Sequence, residues 1–389
     1  MAEKAYITPK ILTWARESAR MSIDVAALKV GKPAKTLKEW EDGIKQPTIK
    51  QAEKLAKIYK RPFALFFLPE IPRDFHPLQD FRKSDSIELT TGSIFIIREI
   101  QQKQAWLSDV LKENGEEKLP FIGKYMISDS PEKVAKDILQ TLNINQKNYT
   151  ETNPIKEWVN KAELKGIYIS RTSFIHSRLT LDKNEIQGFV IADPYAPFVF
   201  VNSKDWAAPQ LFTLIHEIAH LWVAETGISN DIEFEQSNSK THPVEIFSNE
   251  VAANILMPKE LIYNLDTSVF DSSKRLFNTA KTLGVSSFAL LFRAYKLSII
   301  NLSKYKSLKN QATIDFNRFL KKEEQKKKKQ KKQKGGPNPY LLRLNKNSRL
   351  FTQFVLDGFK NGFVEPTQAS FLLNTPINKF NKLELQLYK

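Results

Sequence analysis

His216 and His220 stand four residues apart with Glu217 between them, in the run Leu211-Phe212-Thr213-Leu214-Ile215-His216-Glu217-Ile218-Ala219-His220-Leu221-Trp222. On a helix, residues four apart share a face about one turn apart, so two imidazoles at this spacing can offer nitrogens to one tetrahedral ion such as Zn²⁺. The intervening carboxylate then lies beside the ion. There it can accept a proton from a water whose pKa the ion lowers from ~15.7 to about 7. The chain holds only five histidines in 389 residues, so a chance occurrence of the pattern is rare.

The elements that must hold these residues come next. Leu211, Leu214, Ile215, Ile218, Leu221 and Trp222 recur at helical spacing and predict a helix buried against a core. Two histidines do not complete a site, and the motif supplies no third ligand. A metzincin places Gly and His where this chain has Val223 and Thr226, which excludes that class. The candidates that remain are Glu225, Glu233, Glu235, His242, Glu245 and Glu250. Glu225, five residues beyond His220, lies about 140° round the same helix and faces away. Glu245 opens a second helical run, Val244 to Met257, closed by Pro258, in which Glu245, Asn249 and Ala252 or Ala253 share a face. Small alanines there allow the two helices to approach closely.

The run Phe212-Thr213-Leu214-Ile215-His216-Glu217-Ile218-Ala219-His220, followed by Val244-Glu245 and Asn249-Glu250-Val251-Ala252-Ala253-Asn254-Ile255-Leu256-Met257-Pro258, resembles the ImmA/IrrE family of metallopeptidases. The likeness covers roughly residues 160 to 300, with Ile215 and Asn254 as mild departures. It implies zinc as cofactor, metal ligands at His216, His220 and Glu245, and a general base at Glu217. His242, three residues before Glu245, is a candidate hydrogen-bond donor to a tetrahedral oxyanion.

With 41% hydrophobic residues, the chain can build more than one core. No apolar run reaches the roughly 18 residues of a membrane span, and the opening Met1 to Tyr6 does not read as a signal peptide. There is no cysteine, hence no disulfide and no thiolate metal site. A cytoplasmic protein with no membrane partner is expected. The net charge is +16, of which the nine lysines and two glutamates between Lys321 and Lys334 contribute +7. The remaining +9 is modest for this length, so charge alone does not argue for a nucleic-acid surface.

Residues 1–72 predict five short helices: Pro9 to Ala19, Ile23 to Val30 with Ser22 as N-cap and Gly31 as stop, Ala34 to Glu41, Pro47 to Lys60, and an apolar segment from Arg61 to Pro69. Ala27, Gly31, Leu37, Trp40 to Gly43 and Pro47 are spaced as in an XRE-type helix-turn-helix, whose second helix enters the major groove. Ala34, Lys35, Thr36 and Lys38 would face DNA. Ile23 stands where this class often carries a phosphate-contacting glutamine, and Glu39, Glu41 and Asp42 are acidic, so a protein-docking bundle is the alternative.

Residues 73–130 read as a connector: a loop containing His76, then one long helix from Gly92 to Asn114 that sets the distance between domains. The peptidase domain is expected over 131–310. Helices are predicted from Pro131 to Leu142 and from Pro154 to Ala162, and strands over Gly166 to Arg171, Ile186 to Ala192 and Pro197 to Asn202. Phe198 to Asn202 is the candidate edge strand for an extended substrate, and His176 a loop residue. Asp205 or a neighbour caps the zinc helix, Gly227 stops it, and the polar stretch 228–243 is a candidate lid. Residues 280–297 have the cadence of a second helix-turn-helix, assigned to the helical half of the peptidase. Residues 311–336 should be a disordered lysine-rich linker, and 337–389 a small domain with helices over Ser348 to Asn361, Pro366 to Asn374 and Ile377 to Leu387.

The expected class is therefore α+β: an all-helical N-terminal helix-turn-helix domain, a zincin-like domain with a small sheet and helical bundle, and a helical C-terminal extension. By the resemblance, the activity is zinc-dependent cleavage of a protein, a helix-turn-helix repressor whose loss derepresses phage, mobile-element or stress genes. DNA, an antitoxin and a second copy are the other partners compatible with the chain. Two rival readings carry the same site: a DNA-binding regulator that uses the zinc fold as a sensor, and a toxin or phage-defence protein held by an antitoxin.

Overall fold

The computed structural model describes residues 3–72, 78–80, 88–145, 154–176, 179–229, 242–330 (backbone alone for 323–330) and 337–389. His76, Glu233, Glu235, most of the expected lid and the end of the lysine run lie outside them. In chain order the strands are β1 (Gln79–Asp80), β2 (Tyr168–Thr172), β3 (Phe174–His176), β4 (Leu179–Thr180), β5 (Gly188–Ile191), β6 (Phe198–Asn202) and β7 (Gly227–Ser229). The chain divides into two compact units.

The first unit comprises residues 1–77, 87–102 and 174–181. Its helices α1 (Pro9–Ser18), α2 (Ile23–Val30), α3 (Ala34–Glu41) and α4 (Ile49–Tyr59) fall where the sequence places them, followed by a 3₁₀ turn over Phe63–Phe67. Ser22 Oγ accepts from Val25 N at the start of α2, and Gly31 ends it at φ 78°, a left-handed conformation that glycine enters without steric cost. Thr48 and Gln51 form a reciprocal capping box on α4. Buried Glu41 of α3 accepts from Arg16 Nε of α1 at 2.7 Å, which locks α3 onto the bundle. The long helix α5 (Thr91–Glu113) gives its first residues to this unit and the rest to the second, so the expected connector helix is shared between the two. His176 ends β3 in a short hairpin with β4 and is exposed.

The second unit is built on a five-stranded sheet in the order β1-β7-β5-β6-β2. β2 and β6 are parallel, β5 is antiparallel to both β6 and β7, and β1 is parallel to β7. Every residue of β6 is buried, as expected for a strand covered on both faces. Phe198–Asn202 is thus an internal strand and not the substrate edge. An unbroken apolar run reports burial but says nothing about which strands lie alongside.

One face of the sheet carries α8 (Ala207–Trp222), with α6 (Pro131–Thr141), α7 (Pro154–Glu163) and α9 (Pro243–Leu256) around it. Val190, Val199 and Val201 join Leu214, Ile215 and Ile218 in this core. The short helix α10 (Lys259–Tyr263) follows Pro258, and α11 (Ser273–Thr282) and α12 (Ser287–Lys296) complete the helical half, in keeping with a structural role for residues 280–297. Asp205 does not cap α8. Trp206 occupies the N-cap position without a side-chain bond, and Gln210 Nε2 donates to the Asp205 carbonyl at 2.6 Å. Nor does Gly227 stop the helix. Ala224, at φ 55°, turns the chain, and Gly227 opens β7.

The opposite face is covered by the C-terminal helices α14 (Pro339–Asn347) and α15 (Arg349–Lys360), on which α16 (Pro366–Leu372) and α17 (Phe380–Leu387) pack. Phe351 of α15 meets Phe198 edge-on at 5.9 Å, and Ser170 of β2 donates to the Lys346 carbonyl at 2.6 Å. Residues 337–389 are therefore a second layer on the same sheet, and α14 is a helix the sequence reading lacks. The lysine-rich stretch also differs from expectation: α13 (Leu302–Gln330) continues through it as helix. Lys, Glu and Gln are good helix formers, and a helix nucleated by buried Tyr305, Leu308 and Ala312 propagates into the charged segment at little cost per residue. Among the described residues, no helix is long and apolar enough to cross a membrane.

Glu163, at the end of α7, ties this layer down. Its Oε1 accepts from Ser348 Oγ at 2.6 Å and from Arg349 N at 3.0 Å, capping α15 from a distant element. Burial pushes this carboxyl up to about 7, opposed by those donors. A carboxyl whose folded pKa lies above its unfolded value of ~4.3 favours the fold in its protonated form. That contribution is complete below about pH 4 and is lost as pH rises through about 7. Glu163→Gln should flatten the decline, leaving the variant more stable than wild type above pH 7.5 by up to about 3 kcal/mol, as read by urea unfolding at pH 5.5 and 8.

Candidate metal centre

Helix α8 is buried all round from Gln210 to Trp222, so His216, Glu217 and His220 sit where side chains are held on every side. Helix α9 crosses it and brings Glu245, in its first turn, against both imidazoles. His216 Nε2 lies 3.2 Å from Glu245 Oε2, His220 Nε2 lies 3.2 Å from Glu245 Oε1, and the two Nε2 atoms are 3.0 Å apart. Among the described residues, these three form the one His/Cys/Asp/Glu cluster able to hold a metal ion.

The donor set fits zinc. Two imidazole nitrogens and one carboxylate oxygen, each about 2.0–2.2 Å from a shared ion, would lie at roughly the mutual separations seen. His216 Nδ1 lies 3.0 Å from Asn249 Oδ1, an oxygen that can only accept. Nδ1 therefore carries the proton, and the Nε2 lone pair is left pointing at the cluster. Burial lowers the His220 pKa against the pull of Glu245, which favours the neutral ring that binds metal. For Glu245 burial acts to raise the pKa, and the two imidazoles, when they carry a proton toward it, outweigh burial and lower it. Ser229 Oγ donates to Glu245 Oε1 at 3.2 Å and helps fix the carboxylate plane.

Glu217 is fully buried, and no hydrogen bond of ordinary geometry reaches its carboxylate oxygens, although the Ser229 hydroxyl is near enough to oppose the rise in its pKa. Its pKa is driven upward by desolvation and by the nearby charge of Glu245. An upward shift makes the ionised form of this carboxyl a stronger base toward a group delivered to it. It packs against β5 at Gly188, where an added Cβ would stand 2.4 Å from Glu217 Oε1 and 2.8 Å from Thr213 Cγ2. Only a residue without a side chain fits there.

The structure thus brings His216, Glu217, His220 and Glu245 together. Other candidates fall outside the cluster. Glu225 follows the end of α8, and Glu250 faces Arg293 at 3.6 Å. His242 is exposed and caps α9, its Nδ1 accepting from Val244 N at 3.4 Å. On α3, Lys35 and Lys38 are exposed and Thr36 half-buried, with Lys38 Nζ 2.6 Å from Asp42 Oδ1. Ser229 and Gly188 are contributors that sequence reasoning missed, and Asn249 was placed on the face of Glu245 without its bond to His216. Only Asn249 left a signal, its spacing of four from Glu245.

Residues 162–295 match the peptidase-family model described as the IrrE N-terminal-like domain, and residues 12–66 match a helix-turn-helix model. The chain is also 32% identical over 102 residues to the radiation response metalloprotease IrrE of Deinococcus deserti, an overlap of 26% of this chain. It spans about a third of that relative, 36% of its length.

If Asn249 sets the His216 tautomer, Asn249→Ala should weaken zinc binding about 10- to 100-fold while Asn249→Asp largely preserves it. Competition with a chromogenic chelator reads both.

Proposed function

We propose that this chain is a zinc-dependent endopeptidase whose substrate is another protein, and that it works in the cytoplasm as a regulator of transcription. The observation that carries this reading is the buried convergence of His216, His220 and Glu245 beside a carboxylate, Glu217, with no partner of its own. His216, His220 and Glu245 would hold the ion. When bound, zinc supplies a Lewis acid that polarises the scissile carbonyl and acidifies a water. Glu217 takes the proton from that water onto its carboxylate and later gives one to the departing amine. Asn249 keeps His216 oriented through both steps. His242 would have to turn inward from its capping position to meet an oxyanion.

The relative's name supports a metalloprotease, and the matched helix-turn-helix supports a chain that acts near DNA. The substrate proposed is a helix-turn-helix repressor, with an antitoxin as the other candidate of the same kind. Co-expression with a small repressor from the same genomic neighbourhood tests this. The wild type should shorten it and Glu217→Gln should leave it whole, with a fall of at least 10³-fold in rate, since the general base is lost while the ligands remain. Intact repressor with both forms under stress removes the proposed substrate.

A second reading, DNA binding by the first unit, is favoured by the exposed positions of Lys35 and Lys38 on α3. Lys38 would exchange Asp42 for a phosphate, a surface pair worth little by itself. Lys35→Ala should weaken binding to duplex DNA uniformly across sequences and lower the salt slope by about one, measured by fluorescence anisotropy at several salt concentrations. No binding by the wild type at low salt would favour a protein-docking bundle.

A further inference from the structure

An extended polypeptide enters a protease most readily by adding a strand to a sheet edge beside the catalytic groups, where main-chain bonds fix its register. Here the strand beside the proposed base is β5. Gly188 has no side chain, and Glu217 fills the space that a Cβ would take. One side of β5 is paired with β6. The other side is the edge that looks toward the ligands, and it is taken by a strand of the same chain. β7 pairs antiparallel to β5, with Ser229 opposite Gly188, Ile228 opposite Phe189 and Gly227 opposite Val190. Ser229, the last residue of β7, donates to Glu245 Oε1. The strand that closes the edge therefore also touches a ligand.

We propose that Gly227–Ser229 holds the place of the substrate: a protein substrate binds as an extended strand antiparallel to β5, opposite Gly188 to Val190, after β7 has left that edge. Ser229 then marks where the scissile residue lies, next to Glu217 through Gly188 and next to the ligand Glu245. The inference rests on the peptidase reading above and adds the binding edge and its occupant.

The features of β7 suit a displaceable strand. Its three residues are buried, so leaving the edge uncovers Ile228, but the strand is at the short end of the usual range and begins with glycine, which weakens a ladder. Its outer neighbour β1 is shorter still, two exposed residues paired at Gln79 and Asp80. A tether on its N-terminal side keeps it local. The chain reaches β7 directly from α8, and Ala192 N donates to Thr226 Oγ1 at 2.9 Å just before it. Because binding needs the vacated edge, apparent affinity falls by the fraction of molecules in which the edge is open. The closed form therefore appears in KM, and kcat reflects the residues of the centre.

The chain has no cysteine, so an introduced pair can lock the two strands without competition from other thiols. Full-length, zinc-loaded Val190→Cys/Gly227→Cys is compared oxidised and after reduction with a phosphine. The probe is fluorescein-labelled casein, an unfolded polypeptide. Cleavage is read directly, and binding is read in the same double variant carrying Glu217→Gln. The expected result is at least tenfold weaker casein binding in the oxidised form, unchanged zinc content, and recovery on reduction. As a second variant, Ile228→Asn loosens β7 without touching a ligand and should lower KM about fivefold or more with kcat held. Equal casein binding by the oxidised and reduced forms overturns the proposal, and so does absence of binding by the reduced form. Redox-dependent binding without cleavage by the wild type would leave the edge assignment standing and remove the peptidase reading.

Discussion

Two imidazoles and a carboxylate are held within 3.2 Å of one another in the interior, and a second carboxylate lies beside them without a hydrogen bond. Burying such groups is costly unless each is paired, and unpaired ionised groups in a dry interior respond by shifting their pKa. The fold meets that cost by enclosing the cluster in packed helices. Nearly the whole of α8 is buried, with apolar side chains on every side of the motif. The ligands keep their orientation through neighbours outside the cluster, Asn249 for His216 and Ser229 for Glu245. A rigid, preorganised set of donors is what a single divalent cation can exploit, since little ordering is left to be done on binding.

Legibility in the sequence followed the range of the interaction. His216, Glu217 and His220 were readable because their relation is local, fixed by one helical turn. Helix α9 was readable from its pattern and its closing proline, but singling out Glu245 among six candidates required the resemblance to a known family. Gly188 and Ser229 carried no signal, because their contact with the site depends on which strands are neighbours, and period-two patterning does not encode sheet order. The same blindness made Phe198–Asn202 look like an edge. Two errors ran the other way. The lysine run was read as coil from its charge, although helix propensity and a packed start carry α13 to Gln330. The C-terminal helices were read as a separate domain because nothing local tells a helix what it will cover.

What they cover is the second face of the sheet. β6 alternates between Val199 and Val201 toward α8 and Phe198 and Phe200 toward the other side. A central strand so apolar needs a layer on both faces. α14 and α15 provide it, and the polar groups trapped at that interface are paired: Lys103 Nζ with Asn347 Oδ1 at 2.7 Å, Ser170 with the Lys346 carbonyl, Glu163 with the start of α15. The family-model match ends at residue 295, yet the sheet that positions Gly188 is finished only by residues beyond 337. The tail is thus part of the scaffold of the centre. Truncating it would expose the aromatic row of β6 and the edge of β2.

The distribution of charge separates the two units' roles more clearly than the total does. A net +16 suggests a polyanion partner, yet the run 321–334 supplies nearly half, and helix α3 mixes Lys35 and Lys38 with Glu39, Glu41 and Asp42. Glu41 is committed to Arg16 in the interior and contributes no surface field. Lys38 spends part of its charge on Asp42. The field a duplex would meet at α3 is therefore weak. A first unit of this kind suits contacts in which shape and a few hydrogen bonds decide more than long-range attraction, since Lys38 must leave Asp42 before it meets a phosphate.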